Sequence, residues 1–317
     1  MTSIGLTIGN FDGVHRGHAA LILGAREAVG PDGSVIVLSF DPHPSAILRP
    51  HAVPARLTRF DQRREAAVAL GADRVERLVP TPDFLAQTPH QFILEIVRRF
   101  NPRTIIEGPD FRFGHARSGT PDTLRQLGRD LGFETRILTP VTTDLADQSI
   151  VTVSSSMIRW LLQRGRVADA ARLLGRPYVL RGTVVRGDQR GRDIGYPTAN
   201  LDHGDLLLPA DGIYAGTATL PDGRVHPAAI SVGTKPTFAG DRPRVCETSI
   251  IGWNGALDDY GWTLDVAFHD WLREQVRYDS VDALVEQLGR DVARAASDPP
   301  VASGPARPPA AAGRGTR

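Results

Sequence analysis

At 317 residues the chain is longer than one ordinary hydrophobic core usually serves and suits two domains. Its 37 basic and 36 acidic residues leave a net charge of +1, so there is no global field for nucleic acid or anionic lipid, and no apolar tract is long enough for a transmembrane helix. Cys246 is the only cysteine, which excludes an internal disulfide framework and a thiolate zinc site built within one chain.

No signal-peptide pattern precedes the first apolar run, so a reducing cytoplasm is the expected compartment. From Ser3 to about Pro140, β-rich runs (IGLTIGNF, VIVLSF, VERLVP, TIIEGP, TRILTP) alternate with stretches of helical spacing (HAALILGAREAVG, Phe60 to Leu70, QFILEIVRRF, DTLRQLGRDLG). That alternation predicts a parallel sheet with helices on its faces, an α/β domain over residues 1–176. Ser154 to Gly175 reads as two short helices, the first opened by a serine N-cap. From Tyr178 the pattern becomes short strands broken by Gly, Pro and Asp (VLRGTVVRG, GIYAGTATL, HPAAISVG, RVCETSII, WTLDVAFH), an all-β barrel or sandwich over 177–296. A last helix is predicted from Val281 to about Ala296, with Val281, Leu284, Leu288 and Val292 against the β domain. Residues 297–317 are Pro, Ala, Gly and Arg with little to bury, and are expected to be a disordered tail.

The junction after the first strand run carries the first chemistry. If a helix starts near Val14, His15 and His18 lie on one face of its opening turn, where free amides and the helix dipole favour an anion. Gly9, Gly13 and Gly17 remove side chains where a phosphate would approach the backbone, and Asn10 and Asp12 offer polar groups nearby. Zinc would need a third ligand that the lone distant cysteine does not supply, so phosphate is the favoured occupant.

IGNFDGVHRGH (Ile8 to His18) resembles the HxGH nucleotidyltransferase signature, in the full form found in bacterial bifunctional riboflavin kinase/FAD synthetases. EGPDFRFGHARSGT (Glu107 to Thr120) is similar to that family's G-x-D/N-F-R-F-G segment, and VSSSMIR (Val153 to Arg159) to its S-S-T-x-I-R segment, with Ser156 replacing threonine but keeping a hydroxyl. The resemblance implies a Rossmann-like domain that transfers AMP from ATP to the phosphate of FMN, giving FAD and pyrophosphate by in-line attack without a protein nucleophile. It implies that His15 and His18 hydrogen-bond phosphates, that Gly9, Asn10, Phe11, Gly17, Ser155, Ser156 and Arg159 complete the ATP site, and that Asp110 and Phe111 border the flavin.

A second glycine-rich stretch, RGDQRGRDIGYPTANL (Arg186 to Leu201), follows a strand and carries Gly187, Gly191 and Gly195. It has neither the Gly-Lys-Ser/Thr of a Walker A loop nor the helix-opening context of a dinucleotide fingerprint. The tetrad Pro197 to Asn200 resembles the riboflavin kinase signature G-x-x-x-G-x-P-T-A-N, which implies Thr198 and Asn200 at Mg²⁺ and the nucleotide phosphates, with Gly191, Gly195 and Pro197 lining the ATP site. ISVGTKPTF (Ile230 to Phe238) and CETSII (Cys246 to Ile251) are similar to two later segments of that family, the second placing Glu247 as general base for the riboflavin 5′-hydroxyl. SIIGWNGALDDYG (Ser249 to Gly261) departs from the family's H-x-x-D-F-x-x-D-L-Y-G but keeps Asp259, Tyr260 and Gly261, and LREQVRYDSVDALVEQLGRDV (Leu272 to Val292) resembles its closing segment.

Together these resemblances imply a small antiparallel β-barrel kinase behind a nucleotidyltransferase, converting riboflavin to FMN and then to FAD with ATP and Mg²⁺. Small molecules (ATP, riboflavin, FMN) are then the partners, with no nucleic acid or membrane. The alternative is that one module is catalytic and the other a flavin-binding or regulatory domain.

Overall fold

The computed structural model describes residues 2–234, 244–256 and 258–297. The five apolar runs of the first half form β1 (Ile4–Gly9), β2 (Ser34–Phe40), β3 (Arg74–Leu78), β4 (Thr104–Glu107) and β5 (Glu134–Ile137), all parallel, in the order β3-β2-β1-β4-β5. Unbroken burial from Val35 to Leu38 is what a sheet covered on both faces demands. On one face, Ile22 and Ala25 of α1 (Arg16–Val29) and Ala67 of α2 (Phe60–Ala69) meet Val35, Val37 and Ile106. On the other, Phe92, Ile93 and Ile96 of α3 (Pro89–Phe100) and Leu124 and Leu127 of α4 (Pro121–Leu131) meet Leu6, Ile8 and Ile36. The chain changes face between β3 and β4, so the strand order reverses beside β1. A doubly wound sheet opens its ligand crevice at that point, outside the carboxyl ends of β1 and β4.

A hairpin of β6 (Thr142–Asp144) and β7 (Ile150–Thr152) follows, which the sequence pattern did not announce because three residues carry no readable alternation. Next come α5 (Ser155–Leu162) and α6 (Val167–Leu174), whose Ile158, Leu161 and Leu173 share a core with Tyr178, Leu180 and Tyr214 of the second half. There β8 (Tyr178–Val185), β9 (Ala199–Asp202), β10 (Gly212–Thr219), β11 (Val225–Gly233), β12 (Val245–Ile250) and β13 (Thr263–Arg273) close into an antiparallel barrel in the order β10-β11-β12-β9-β8-β13. Of the two β forms that the sequence allowed, the barrel is the one adopted. Its interior takes every second residue: Tyr178, Leu180 and Val184 from β8, Ile230 and Val232 from β11, Val266 and Phe268 from β13.

Two elements differ from the sequence expectation. β9 begins inside the Pro197–Asn200 tetrad and is only four residues long; pairing with both β8 and β12 creates it, not its own pattern. The final helix, α7 (Val281–Ser297), packs on β10 and β11 with Leu284, Leu288 and Val292 partly buried and Ala295 buried, but leaves Val281 61% exposed; buried Asp291 adds an ion pair, accepting Arg273 Nη2 at 2.6 Å and Nε at 3.0 Å. Arg181 of β8 ties the halves together, pairing with Asp61 and Glu65 of α2 at 2.9 Å each and with Asp265 of β13 at 2.7 Å. Among the described residues no helix is long and apolar enough to cross a membrane. The tail from 298 to 317, and Lys235 to Phe238 of the kinase-like segment, lie outside the described residues.

Candidate active sites

β1 runs into a loop bent by three residues of positive φ: Phe11 (49°), Gly13 (86°) and Val14 (39°). Leu57 and Leu174 close over Gly13, where an added methyl would meet Leu57 at 3.0 Å. Asp12 pins the loop, accepting Leu57 N–H at 3.0 Å, Thr58 N–H at 3.0 Å, Thr58 Oγ1 at 3.1 Å and Arg159 Nη2 at 2.5 Å. Gly9 ends β1, and a methyl there would press on the Phe11 ring at 3.3 Å. Phe11 itself is buried, its ring 4.8 Å from that of His18, so its side chain supports the imidazole by packing.

His15 is the N-cap of α1. His18 N–H donates to His15 Nδ1, and His15 N–H donates to His18 Nδ1, each at 3.3 Å. This is a capping box made from two imidazoles, and the rings stack with centroids 3.6 Å apart. Because each Nδ1 accepts a backbone proton, each neutral ring carries its own proton on Nε2. Burial lowers His15 to about 3, with the Arg176 and Arg159 cations adding to the shift. His18 is driven well below its ordinary value by burial first, then by His15 and Arg176. At neutral pH the crevice therefore holds two uncharged imidazoles, each with one N–H left to give. Gly17 makes room for the stack, since a methyl there would lie 3.1 Å from the His15 ring.

The serine-rich segment joins this assembly through Asp12. Ser154 caps α5, Ser155 Oγ donates to Asp12 O at 2.8 Å, and Arg159 Nε donates to Ala55 O at 2.7 Å. Ser156 is exposed at the start of the helix. Residues that sequence reading missed also converge here. Buried Arg63 of α2 donates to Asn10 O (3.0 Å), Ser39 Oγ (3.1 Å), Phe40 O (2.8 Å) and Asp41 (2.5 Å). His43 lies 3.1 Å from the Asn10 amide, and Arg176 donates to the carbonyls of Gly13 and Val14. Their partners are mostly backbone carbonyls far away in sequence, which no motif reveals. After β4, Asp110 is exposed and Phe111 stacks on Phe113 at 5.2 Å, at the carboxyl end of the strand beside β1. Glu107 reaches back to accept Ile8 N–H at 2.6 Å, and burial pushes its carboxyl well above the usual carboxylate range.

In the barrel, Asn200 stands directly across from Glu247 in the β9/β12 ladder and from Val185 in the β8/β9 ladder. Cys246 and Thr248 face inward, which leaves Glu247 on the outer side, partly buried. The loop before β9 is held against these groups: an added methyl on Gly187 would fall 2.2 Å from Asn200 Nδ2, and one on Gly191 would fall 2.3 Å from Tyr196 O. Gly195 turns the chain at φ 83°. A crevice at this end of the barrel takes in Gly187, Pro197, Thr198 and Asn200 on one side and Trp253, Tyr260 and Trp262 on the other. Glu247 lies just outside that lining, one strand from Asn200. Two contacts bridge the walls, Gln189 Nε2 to Tyr260 Oη at 3.0 Å and Arg192 Nη2 to Asp258 Oδ1 at 2.9 Å. The segment after Glu247 that departs from the kinase pattern is thus one wall of this crevice.

The family described as FAD synthetase matches residues 2–155, and the family described as riboflavin kinase matches residues 174–297. The bifunctional riboflavin kinase/FMN adenylyltransferase of Escherichia coli K12 is 35% identical over 288 residues, 90% of each chain. The chain belongs to the bifunctional riboflavin kinase/FMN adenylyltransferase family. The member from Pseudomonas fluorescens is 36% identical over 91% of each chain, and that from Bacillus subtilis 31% identical over 90% of this chain. A crystal structure of a Streptococcus pneumoniae protein, named there as a macrolide-efflux protein, superposes with a TM-score of 0.82 at 30% identity over 94% of each chain. As a bifunctional riboflavin kinase/FMN adenylyltransferase, the chain is a transferase of flavin cofactor synthesis, taking riboflavin to FMN and FMN to FAD.

Proposed function

We propose that the two steps run at two separate sites, adenylylation in the β1/β4 crevice of residues 1–176 and riboflavin phosphorylation at the barrel mouth of residues 177–296. In the first, the Nε2–H groups of His15 and His18 donate to phosphate oxygens of ATP as the FMN phosphate attacks the α-phosphorus. Neutral donors held by stacking and mutual capping need no reorganisation as charge develops. Asn10, the Gly9 and Gly17 backbone, Ser155, Ser156 and Arg159 line the same nucleotide, while Asp110 and Phe111 border the flavin. The observation that carries this reading is the reciprocal cap, which occupies both Nδ1 atoms and leaves the Nε2–H of each ring to give.

At the barrel, Glu247 accepts the proton of the riboflavin 5′-hydroxyl, and Thr198, with Gly191, Gly195 and Pro197, lines the ATP phosphates. The residues present suit Mg²⁺: Thr198 offers a hydroxyl and Asn200 an amide oxygen, and the absence of a side chain on Gly187 gives the Asn200 amide its place. When bound, the ion neutralises charge on the phosphates. Small molecules are the partners in this reading, with neither nucleic acid nor membrane, and the single buried thiol of Cys246 suits a reducing cytoplasm. The test is chromatographic. Riboflavin, ATP and Mg²⁺ give FMN followed by FAD; a barrel that only binds flavin would give no FMN yet leave conversion of supplied FMN intact.

A further inference from the structure

Arg176 lies outside the FAD synthetase match and inside the riboflavin kinase match, yet its side chain is part of the first site. Gly175, left-handed at φ 77°, caps α6 with its N–H on Ala171 O at 2.7 Å and turns the next residue back toward the β1 loop. Arg176 Nη2 then donates to Gly13 O at 2.8 Å and Nη1 to Val14 O at 3.0 Å. No carboxylate pairs with this guanidinium among the described residues, and burial alone lowers its pKa.

Two physical consequences follow. Val14 is β-branched and sits at φ 39°, a conformation such residues rarely hold, and the residue after it is His15. A fork-shaped donor gripping two successive carbonyls holds that turn. The charge also reaches the imidazoles, since Arg176 is among the groups disfavouring a proton on both His15 and His18. A partly buried cation without a counter-ion costs free energy on its own, which an arriving polyphosphate offsets.

We propose that Arg176 is a positioning residue for FMN adenylylation, supplied by the segment that the riboflavin kinase match covers, which braces the Gly13-Val14 turn and so aims the histidine pair. The proposal rests on the phosphate-binding role of His15 and His18. It makes adenylylation dependent on a residue beyond the FAD synthetase match.

The test uses the full chain with Arg176→Ala and Arg176→Lys, beside His18→Ala. Arg176→Ala is expected to lower kcat for adenylylation of supplied FMN at least tenfold, to leave riboflavin phosphorylation within twofold, and to move the acid limb of the adenylylation pH profile upward. Arg176→Lys, which keeps the charge but loses the fork, is expected to restore the acid limb and only part of kcat. Adenylylation within twofold of the unaltered protein in Arg176→Ala would overturn the proposal, as would parallel loss of both activities or an acid limb that stays in place. If Arg176→Ala is silent while His18→Ala is crippled, only the role of Arg176 fails. If His18→Ala is also silent, the reading of the histidine pair fails with it.

Discussion

Asp12→Asn probes how the first site is held together. The Asp12 carboxylate is 8% exposed and its partner Arg159 13%, so solvent screens the pair little. In the folded protein Oδ2 meets Leu57 N–H at 3.0 Å and Arg159 Nη2 at 2.5 Å, while Oδ1 meets Thr58 N–H and Oγ1. An asparagine keeps one acceptor oxygen for Thr58 and for the Leu57 N–H at 3.1 Å, but turns an amide N–H₂ toward the Arg159 guanidinium, which among the described residues retains only its Nε bond to Ala55 O. Removing one member of a buried ion pair costs about 3–5 kcal/mol, and the retained acceptor places this change near the low end, about 3 kcal/mol. With a urea m-value of about 2 kcal/mol/M, the unfolding midpoint of the first domain should fall by roughly 1.5 M. Urea titration followed by far-ultraviolet circular dichroism reads that shift. Adenylylation of supplied FMN should fall at least tenfold, because Arg159 loses its carboxylate anchor on the loop, while riboflavin phosphorylation stays within about twofold. A midpoint displaced by less than about 0.3 M would refute the argument that Asp12 is the node of the site.

Three further outcomes are expected. The folded histidines resist protonation far below 6.5, His15 until about 3, whereas unfolded imidazoles titrate near 6.5. Protons therefore bind the unfolded chain preferentially as pH falls from about 6.5 toward 3, so the stability contributed by the neutral pair is complete above that window and is lost on acidification through it. Adenylylation should accordingly show no inflection between pH 6 and 7.5 belonging to these rings; a clear break near 6.5 that disappears in His15→Ala would speak against the neutral pair. Glu247→Gln should reduce FMN formation by about 10²-fold or more in a coupled ATPase-type assay while leaving adenylylation of supplied FMN unchanged. Gly187→Ala forces a methyl onto the Asn200 amide and should lower kinase kcat about tenfold or more, with a midpoint of unfolding close to that of the unaltered protein.

Much of the architecture was legible because the physics that builds it is local. The runs of β1, β2 and β4 are buried on both faces, as the covered centre of a parallel sheet requires, while the edge strands β3 and β5 carry charged residues, and the alternating barrel strands show their period directly. Ser154 as a cap, the helix opening at the histidines, and the Gly-rich approach to Asn200 were readable for the same reason. What escaped depends on tertiary partners. β9 is a strand only because two others pair with it, and α7 adds to its apolar contacts an ion pair at Asp291 that spacing does not show, while Val281 at its start is exposed. Arg63 and Arg176 look like ordinary surface arginines in sequence; chain carbonyls such as those of Asn10, Gly13 and Val14, brought near by the fold, make them part of the site. Phe11 stands in the signature, but its ring belongs to the support beneath His18. The crevice wall from Trp253 to Trp262 could not be assigned from a segment that departs from its relatives.

Separation of the two sites is best measured by complementation between single variants, with riboflavin and ATP as the only substrates and products resolved by chromatography. His18→Ala alone should accumulate FMN without FAD, Glu247→Gln alone should make neither, and an equimolar mixture should regain FAD because FMN passes through solution from one variant to the other. FAD from His18→Ala alone at the unaltered rate, loss of FMN formation in His18→Ala, or an equimolar mixture that makes no FAD would contradict two independent pockets.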